Sequence, residues 1–197
     1  MVTRFIPAAF AAALLAGCAT PYASPVEVTR FSAPTAAQLG SGTIAVRAAP
    51  GEAGGTLEFS AYEQAVAKEL ARLGYTLAQA GPAAQVAEVR VGRVQLAPGD
   101  RRGPVSVGVG GSTGSYGSGV GLGIGLDLTP PPKPVIQTEL GVTIRDNATG
   151  QSLWEGRADF GASTDSPLAD RQAAAARLAE ALFGGFPGAS GQTITVK

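Results

Sequence analysis

The sequence predicts an α+β domain in which a mainly antiparallel sheet carries two helices packed on one face. Three observations predict this class: short segments with alternating apolar residues, two segments with apolar residues at three- and four-residue spacing, and the intermixing of both kinds along the chain. The predicted order is β-β-α-β-β-(β-hairpin)-β-β-α, in which the bracketed hairpin is a glycine-rich insert.

The N-terminal half begins with two predicted strands and a helix. Val26–Phe31 alternates apolar and polar residues, and Thr43–Ala48 forms a second short strand. One apolar face of a helix follows, and Gly74 stands where a helix commonly ends. The residues of that face are Phe59, Tyr62, Val66, Leu70 and Leu73.

The apolar residues of the next predicted strand change from one parity to the other. Val89 and Val91 share one face, whereas Val94 and Leu96 have the opposite parity. A bulge at Gly92 would bring all four side chains to a single face. The sequence therefore predicts an irregular strand here.

A hairpin and a helix follow in the C-terminal half. Glu139–Arg145 and the segment around Trp154 both alternate, and the turn Asp146–Gly150 joins them. Ser166 and Pro167 are typical of a helix start. The buried face of this helix is predicted to hold Leu168, Ala174, Leu178 and Leu182. A weak strand at Thr193–Val196 would end the chain.

The segment from Gly103 to Asp127 alternates apolar residues with glycine and serine. It is predicted to be a passive, flexible hairpin or, alternatively, a surface that docks on another chain or on lipid, since one face is apolar. A proline-rich spacer completes the insert at residue 134. The candidate docking residues are Val105, Val107, Val109, Val120, Leu122 and Ile124.

The N-terminus has the layout of a secretory signal peptide. Arg4 precedes the apolar run Phe5–Leu15, which is too short to span a bilayer as a helix. The run ends in Leu15, Ala16, Gly17 and Cys18, which resembles the lipobox of bacterial lipoproteins at every position.

The lipobox resemblance implies a lipid anchor on Cys18. In such lipoproteins the signal is cut between Gly17 and Cys18, and the cysteine carries a diacylglyceryl thioether and an N-acyl chain. Ala19 in the next position implies the outer membrane, with the domain facing the periplasm. Several acyl chains anchor a protein far more durably than one.

The predicted organisation follows from these boundaries. Residues 1–17 are the signal peptide and residues 18–25 a lipidated tether. Residues 26–187 form one α+β periplasmic domain, with 103–134 as its Gly/Pro-rich insert, and residues 188–197 are a tail.

Composition excludes several kinds of chemistry. The chain of 197 residues has no histidine and one cysteine, which excludes histidine catalysis, histidine metal sites and disulfides within the chain. Fifteen basic residues balance fifteen acidic ones, so no basic face for nucleic acid is expected. Gly110–Gly114 fits the spacing of a nucleophile elbow only formally, because no histidine is present to act as base. We predict no catalytic residue, no metal site and no cofactor other than the covalent lipid.

The C-terminal half resembles a known family. The segment from Asp146 to Gly156 is similar to a D-x-x-T-G-x-x-x-W-x-G signature and is followed by a helix and Phe186-Pro187. Behind a lipobox, this order resembles the bacterial lipoprotein family catalogued as domain of unknown function 4136, over about Val26–Pro187. The resemblance implies an envelope location and an α+β fold, and it carries no catalytic residues.

The sequence thus predicts a non-enzymatic envelope lipoprotein that binds or scaffolds another envelope component. Its expected partners are the membrane, through the anchor, and an envelope protein. One alternative is a carrier of a small apolar ligand or lipid, and a weaker one is a hydrolase that uses serine or carboxylates. Oligomeric state, and inner as against outer membrane, stay open at this point.

Overall fold

The structure is a computed structural model that describes residues 21–34, 39–78, 82–98, 105–114, 117–126 and 133–197. Residues 105–114 and 117–126 are described by their backbone pairing. The predicted signal peptide and the tether up to residue 20 lie outside the described residues.

The described chain alternates strands and helices in the order expected for an α+β domain. The helices are α1 (Leu57–Arg72) and α2 (Arg171–Phe183). The strands are β1 (Val26–Ser32), β2 (Thr43–Ala48), β3 (Thr76–Leu77), β4 (Gln85–Leu96), β5 (Val105–Gly114), β6 (Gly117–Leu126), β7 (Val135–Asp146), β8 (Ser152–Ser163) and β9 (Gln192–Val196).

Seven strands form one mixed sheet in the order β3-β2-β4-β7-β8-β1-β9. The prediction of a mainly antiparallel sheet is wrong at one side, because β2 runs parallel to both β3 and β4. The connection from β2 to β3 passes through α1, and a helical crossover returns the chain to the same end of the sheet. The strands from β4 to β9 in the sheet order pair antiparallel.

Both helices pack on one face of this sheet, which we call the inner face, and this confirms the predicted layering. A single apolar cluster joins the strands to both helices. Trp154 lies at its centre, with its ring 5.5 Å from that of Phe183 and 5.2 Å from that of Phe186. Most residues of the predicted helix faces are buried there, including Tyr62 and Leu178, whereas Leu73 and Leu168 are partly exposed.

A buried arginine fixes the end of α2. Arg30 shares the inward parity of Val26 and Val28, and its Nε donates to the Leu182 carbonyl at 2.8 Å. Its Nη2 donates to the carbonyls of Ala181 and Gly184. The last carbonyls of a helix lack internal partners and carry partial negative charge, so the guanidinium satisfies both needs. Burial lowers the pKa of Arg30.

Two local predictions were wrong in detail. β4 pairs with β7 without a break from Gln85 to Leu96, so the bulge expected at Gly92 is wrong. The far end of β4 is exposed, and no change of parity is needed where no core covers the strand. Ser166 caps a short 3₁₀ turn, and α2 starts afterwards with Asp170 as its N-cap.

Candidate functional site: the outer face of the sheet

The sheet face opposite the helices, here called the outer face, is the part of the described fold that presents functional groups to solvent. Successive residues of a strand point to opposite faces, so the strands that bury apolar residues inward place polar ones outward. On β7 these outward residues are Glu139, Gly141 and Thr143, and cross-strand pairing aligns them with outward residues of β4 and β8.

A depression of about 480 Å³ lies on this face. We call it the charged depression. Three arginines and three glutamates line it together with the exposed ring of Phe31. These charged residues are Arg90, Arg145, Arg157, Glu88, Glu139 and Glu155.

Glu88 lies in one wall of the charged depression, where two arginines hold its side chain in place. Its Oε1 accepts from Arg47 Nη2 at 2.8 Å, and its Oε2 accepts from Arg145 Nε at 3.0 Å. The hydrogen bond from Arg47, assisted by Arg145, holds the pKa of Glu88 below its usual value despite burial. Because both oxygens are engaged, Glu88 positions the two arginines and stays ionised.

The floor of the charged depression differs from this wall, because its arginines are largely exposed. Gly141 lies between Arg90 on β4 and Arg157 on β8 in one cross-strand row. The glycine leaves a gap between two arginines whose side chains are 65% and 66% exposed. Their ion pairs to Glu52, at 3.9 Å, and to Glu139, at 3.2 Å, leave much of each guanidinium facing solvent. Arg90 and Arg157 are two strand spacings apart, about 10 Å between backbones, which leaves room above Gly141 for a carboxylate.

The signature residues of the resemblance have structural roles in the described chain. Asp146 Oδ1 accepts from the backbone and hydroxyl of Thr149 and from the backbone of Ala148, which lowers the pKa of Asp146. Gly150 has a φ of +73° in the same turn. Trp154 Nε1 donates to the Pro187 carbonyl at 2.9 Å. The signature therefore builds the turn and the core below the outer face.

The site residues predicted from sequence fall in two places. Leu15, Ala16, Gly17 and Cys18 lie outside the described residues. Val105, Val107 and Val109 lie on β5, where the register places them opposite Leu126, Ile124 and Leu122 of β6. The residues that join β5 to β6, 115–116, lie outside the described part, so the hairpin insert stays a prediction.

Sequence reasoning missed the charged depression. None of the candidate site residues named from the sequence lines it. The sequence does contain a signal for the charged depression, namely outward charges on three adjacent strands. Their alignment across the sheet depends on the strand register, which the sequence alone does not give. In the β4–β7 register Arg145 pairs with Val86, two residues from Glu88 on the same face, and its Nε reaches Glu88 Oε2.

Two further observations limit the chemistry of the described residues. No group of three or more histidine, cysteine, aspartate or glutamate side chains among them is placed to hold a metal ion. In the same part of the chain, every helix is too short or too polar to cross a membrane.

Fold and site together define an α+β domain with a helix-covered inner face and an open, charge-lined outer face. The chain belongs to the family described as Domain of unknown function (DUF4136), whose sequence profile matches residues 46–188. This confirms the resemblance carried by the Asp146–Gly156 signature.

The relatives known by sequence and by structure add little about activity. An uncharacterized protein of Zymomonas mobilis is 40% identical over 62 residues, which is 32% of this chain and 23% of that protein. The chain thus spans less than a quarter of that relative's length.

Solved structures resemble this fold at low identity. A PDZ domain protein from Parabacteroides distasonis matches with a TM-score of 0.53 and 12% identity, over 89% of this chain and 38% of that one. The PelC dodecamer from Paraburkholderia phytofirmans matches with a TM-score of 0.39 and 16% identity, over 78% of this chain and 91% of that one. The first likeness concerns the fold alone.

Proposed function

We propose that this protein is a lipid-anchored envelope lipoprotein whose periplasmic domain binds another envelope protein, without catalysis, through the charged depression. The observation that carries the proposal is the depression itself, an open site lined by balanced charges and one exposed aromatic ring. Such a surface suits a partner with complementary charges, because paired charges give orientation and specificity.

Arg90 and Arg157 are the recognition pair in this proposal. They flank Gly141, and both are largely exposed, whereas Arg145 and Arg47 are committed to Glu88. We expect an acidic side chain or a terminal carboxylate of the partner to lie between them, since arginine binds carboxylates in a bidentate manner. Phe31 would supply the apolar contact at the side of the depression.

Two arguments support the anchor. The lipobox-like run ends at the single cysteine of the chain, which has no second cysteine to pair with. The described chain begins on the sheet soon after, at Tyr22 and Ala23, so the predicted attachment point adjoins the folded domain. We infer an outer-membrane location, with the domain in the periplasm, from the residue after the cysteine.

The carrier alternative requires room between sheet and helices. There the side chains of Trp154, Phe160 and Leu182 are each at most 1% exposed and pack in one cluster. This packing favours a binding role for the outer face over a ligand cavity inside. Lipid that co-purifies in native mass spectrometry would favour the carrier instead.

The binding proposal is tested by in-cell crosslinking of the full chain, detergent purification and identification of what is bound. Arg157→Glu reverses one recognition charge and should abolish the specific adduct. Lys68→Glu makes the same change in charge on the exposed side of α1 and should leave the adduct intact. An adduct that survives Arg157→Glu, or that both variants lose, contradicts the proposal.

The anchor has its own test. Cys18→Ala should move the protein from the membrane fraction to the soluble fraction, and mass spectrometry of the wild type should detect the added acyl mass. Persistence of Cys18→Ala in membranes after salt washing would contradict the anchor. A further variant that lacks residues 103–127 distinguishes the two candidate docking surfaces. Loss of the partner adduct in this variant would assign the docking to β5 and β6 instead of to the charged depression.

A further inference from the structure

The outer face is not uniform along its strands. At the end opposite the β7–β8 turn, the last outward residues of β4 and β7 are apolar, and an ion pair between Lys133 and Asp165 lies just beyond them. We call this the tether end, and it consists of Tyr22, Val94, Leu96 and Val135. Leu96 pairs with Val135, and Val135 pairs with Ser163.

The chain that precedes β1 is fastened at this end. Tyr22 N donates to Ser163 Oγ at 3.0 Å, and Ser163 N donates to the Tyr22 carbonyl at 2.8 Å. Ala23 bridges to Ala162, which is buried on the inner face, so Tyr22 belongs to the outer side. The first described residues before β1 therefore join the outer face at the tether end.

These residues are unusually exposed for their type. Tyr22 is 56% exposed, Val94 58% and Leu96 51%, although all three lie on one side of a paired sheet. Contiguous exposed apolar groups mark a surface that meets another apolar phase. Tyrosine is also the type of residue that prefers the boundary between membrane and water.

The shortness of the tether indicates that this apolar phase is the lipid bilayer. Cys18 lies four residues before Tyr22. Four extended residues span at most about 14 Å, so a lipid on Cys18 holds the tether end close to the headgroup layer. From the tether end, Arg157 lies six residues along β8 from Ser163, about 20 Å farther from the membrane.

We propose that the tether end rests on the lipid surface and that the domain stands with β7 and β8 pointing away from the membrane. This inference depends on the proposed lipid at Cys18. It goes beyond the binding role, because it orients the charged depression into the periplasm.

The test uses the lipidated full chain in vesicles of phosphatidylethanolamine and phosphatidylglycerol that contain nitroxide-labelled lipid. Since lipid occupies Cys18, each of Val94→Cys, Leu96→Cys and Ala148→Cys carries one free thiol for a small fluorophore. Ala148 is an exposed control in the β7–β8 turn, more than ten residues along β7 from Val135 and about 35 Å away.

Lipid nitroxides should quench the labels at 94 and 96 several-fold more than the label at 148. Equal quenching at all three sites would mean that the sheet lies flat, and negligible quenching at all three, with the protein still floating with vesicles, would mean that the domain stands off or that a protein covers this end. Either outcome overturns the inference while leaving the anchor intact. Failure to float with vesicles overturns the anchor and this inference together.

Discussion

The two faces of the same strands differ in almost every physical respect. On β7, Leu140, Val142 and Ile144 point inward and are at most 1% exposed. The residues between them point outward and line the charged depression. Stability therefore resides mainly on one face and recognition on the other, so substitutions one residue apart should affect different properties.

Removal of the core aromatic should have the largest effect. Trp154→Ala deletes the stacking on Phe183 and the hydrogen bond to Pro187, and leaves a cavity in a packed cluster. We expect the free energy of unfolding to fall by about 3–5 kcal/mol in chemical denaturation.

The matched outer-face change is Phe31→Ala, which removes an exposed ring. It should alter the free energy of unfolding by no more than about 0.5 kcal/mol while weakening partner binding. If Phe31→Ala destabilised the protein as much as Trp154→Ala, the division between the two faces would not hold.

A methyl group added at a glycine on each face tests the same difference between the inner and outer faces. A Cβ at Gly156 would lie 2.3 Å from Trp154 Cη2 and 2.8 Å from Leu182 Cδ1. A Cβ at Gly141 would meet only Arg90 Cβ, at 3.7 Å. Gly156→Ala should cost about 1–3 kcal/mol of unfolding free energy through overpacking.

Gly141→Ala should leave the unfolding free energy within about 0.5 kcal/mol of wild type. Its methyl group would enter the gap between Arg90 and Arg157, so loss of the partner adduct at unchanged thermal stability is the expected pattern. Unchanged partner binding in this variant would exclude the gap as a recognition element.

The outer-face ion network should make a modest contribution to the free energy of unfolding, and that contribution should depend on pH. Glu88→Gln removes the carboxylate that holds Arg47 and Arg145, at a cost of about 1 kcal/mol near neutral pH. Because the folded-state pKa of Glu88 is lowered, this stabilisation is complete above the ordinary glutamate pKa of about 4.3.

The stabilisation is lost as the pH falls through the lower pKa of the folded state. Urea unfolding of wild type and Glu88→Gln at several pH values should show the difference shrinking only in that acidic window. Glu155→Gln, an exposed change on the same face, should show a much smaller gap throughout. A gap for Glu88→Gln that persisted at the lowest pH would contradict the assigned role.

Local periodicity accounts for the part of the fold that could be predicted. Spacing and turn chemistry predict the apolar helix faces, the Asp146–Gly150 turn and the strand at Thr193–Val196, and the structure confirms them. Leu168 is the exception, because it lies in a 3₁₀ turn before α2 and is partly exposed. The direction of β2 was mispredicted because strand spacing does not encode which neighbour a strand pairs with.

The depression could not be predicted for the same physical reason. Arg90 and Arg157 are 67 positions apart, and only the register of three strands brings them to either side of Gly141. The structural role of Arg30 was also not predicted, although its shared parity with Val26 and Val28 indicates that it points inward. A charge at an inward position signals a specific partner, here the carbonyls at the end of α2.

If the outer face binds a partner, site-specific photocrosslinking in cells should capture that partner at the charged depression. A photoreactive amino acid would replace Thr143, inside the charged depression, and in a second strain Lys68, on the opposite side of the domain. We expect one discrete adduct from position 143 and none from position 68. An adduct from position 68 alone, or none from position 143 in a folded, membrane-bound protein, would contradict it.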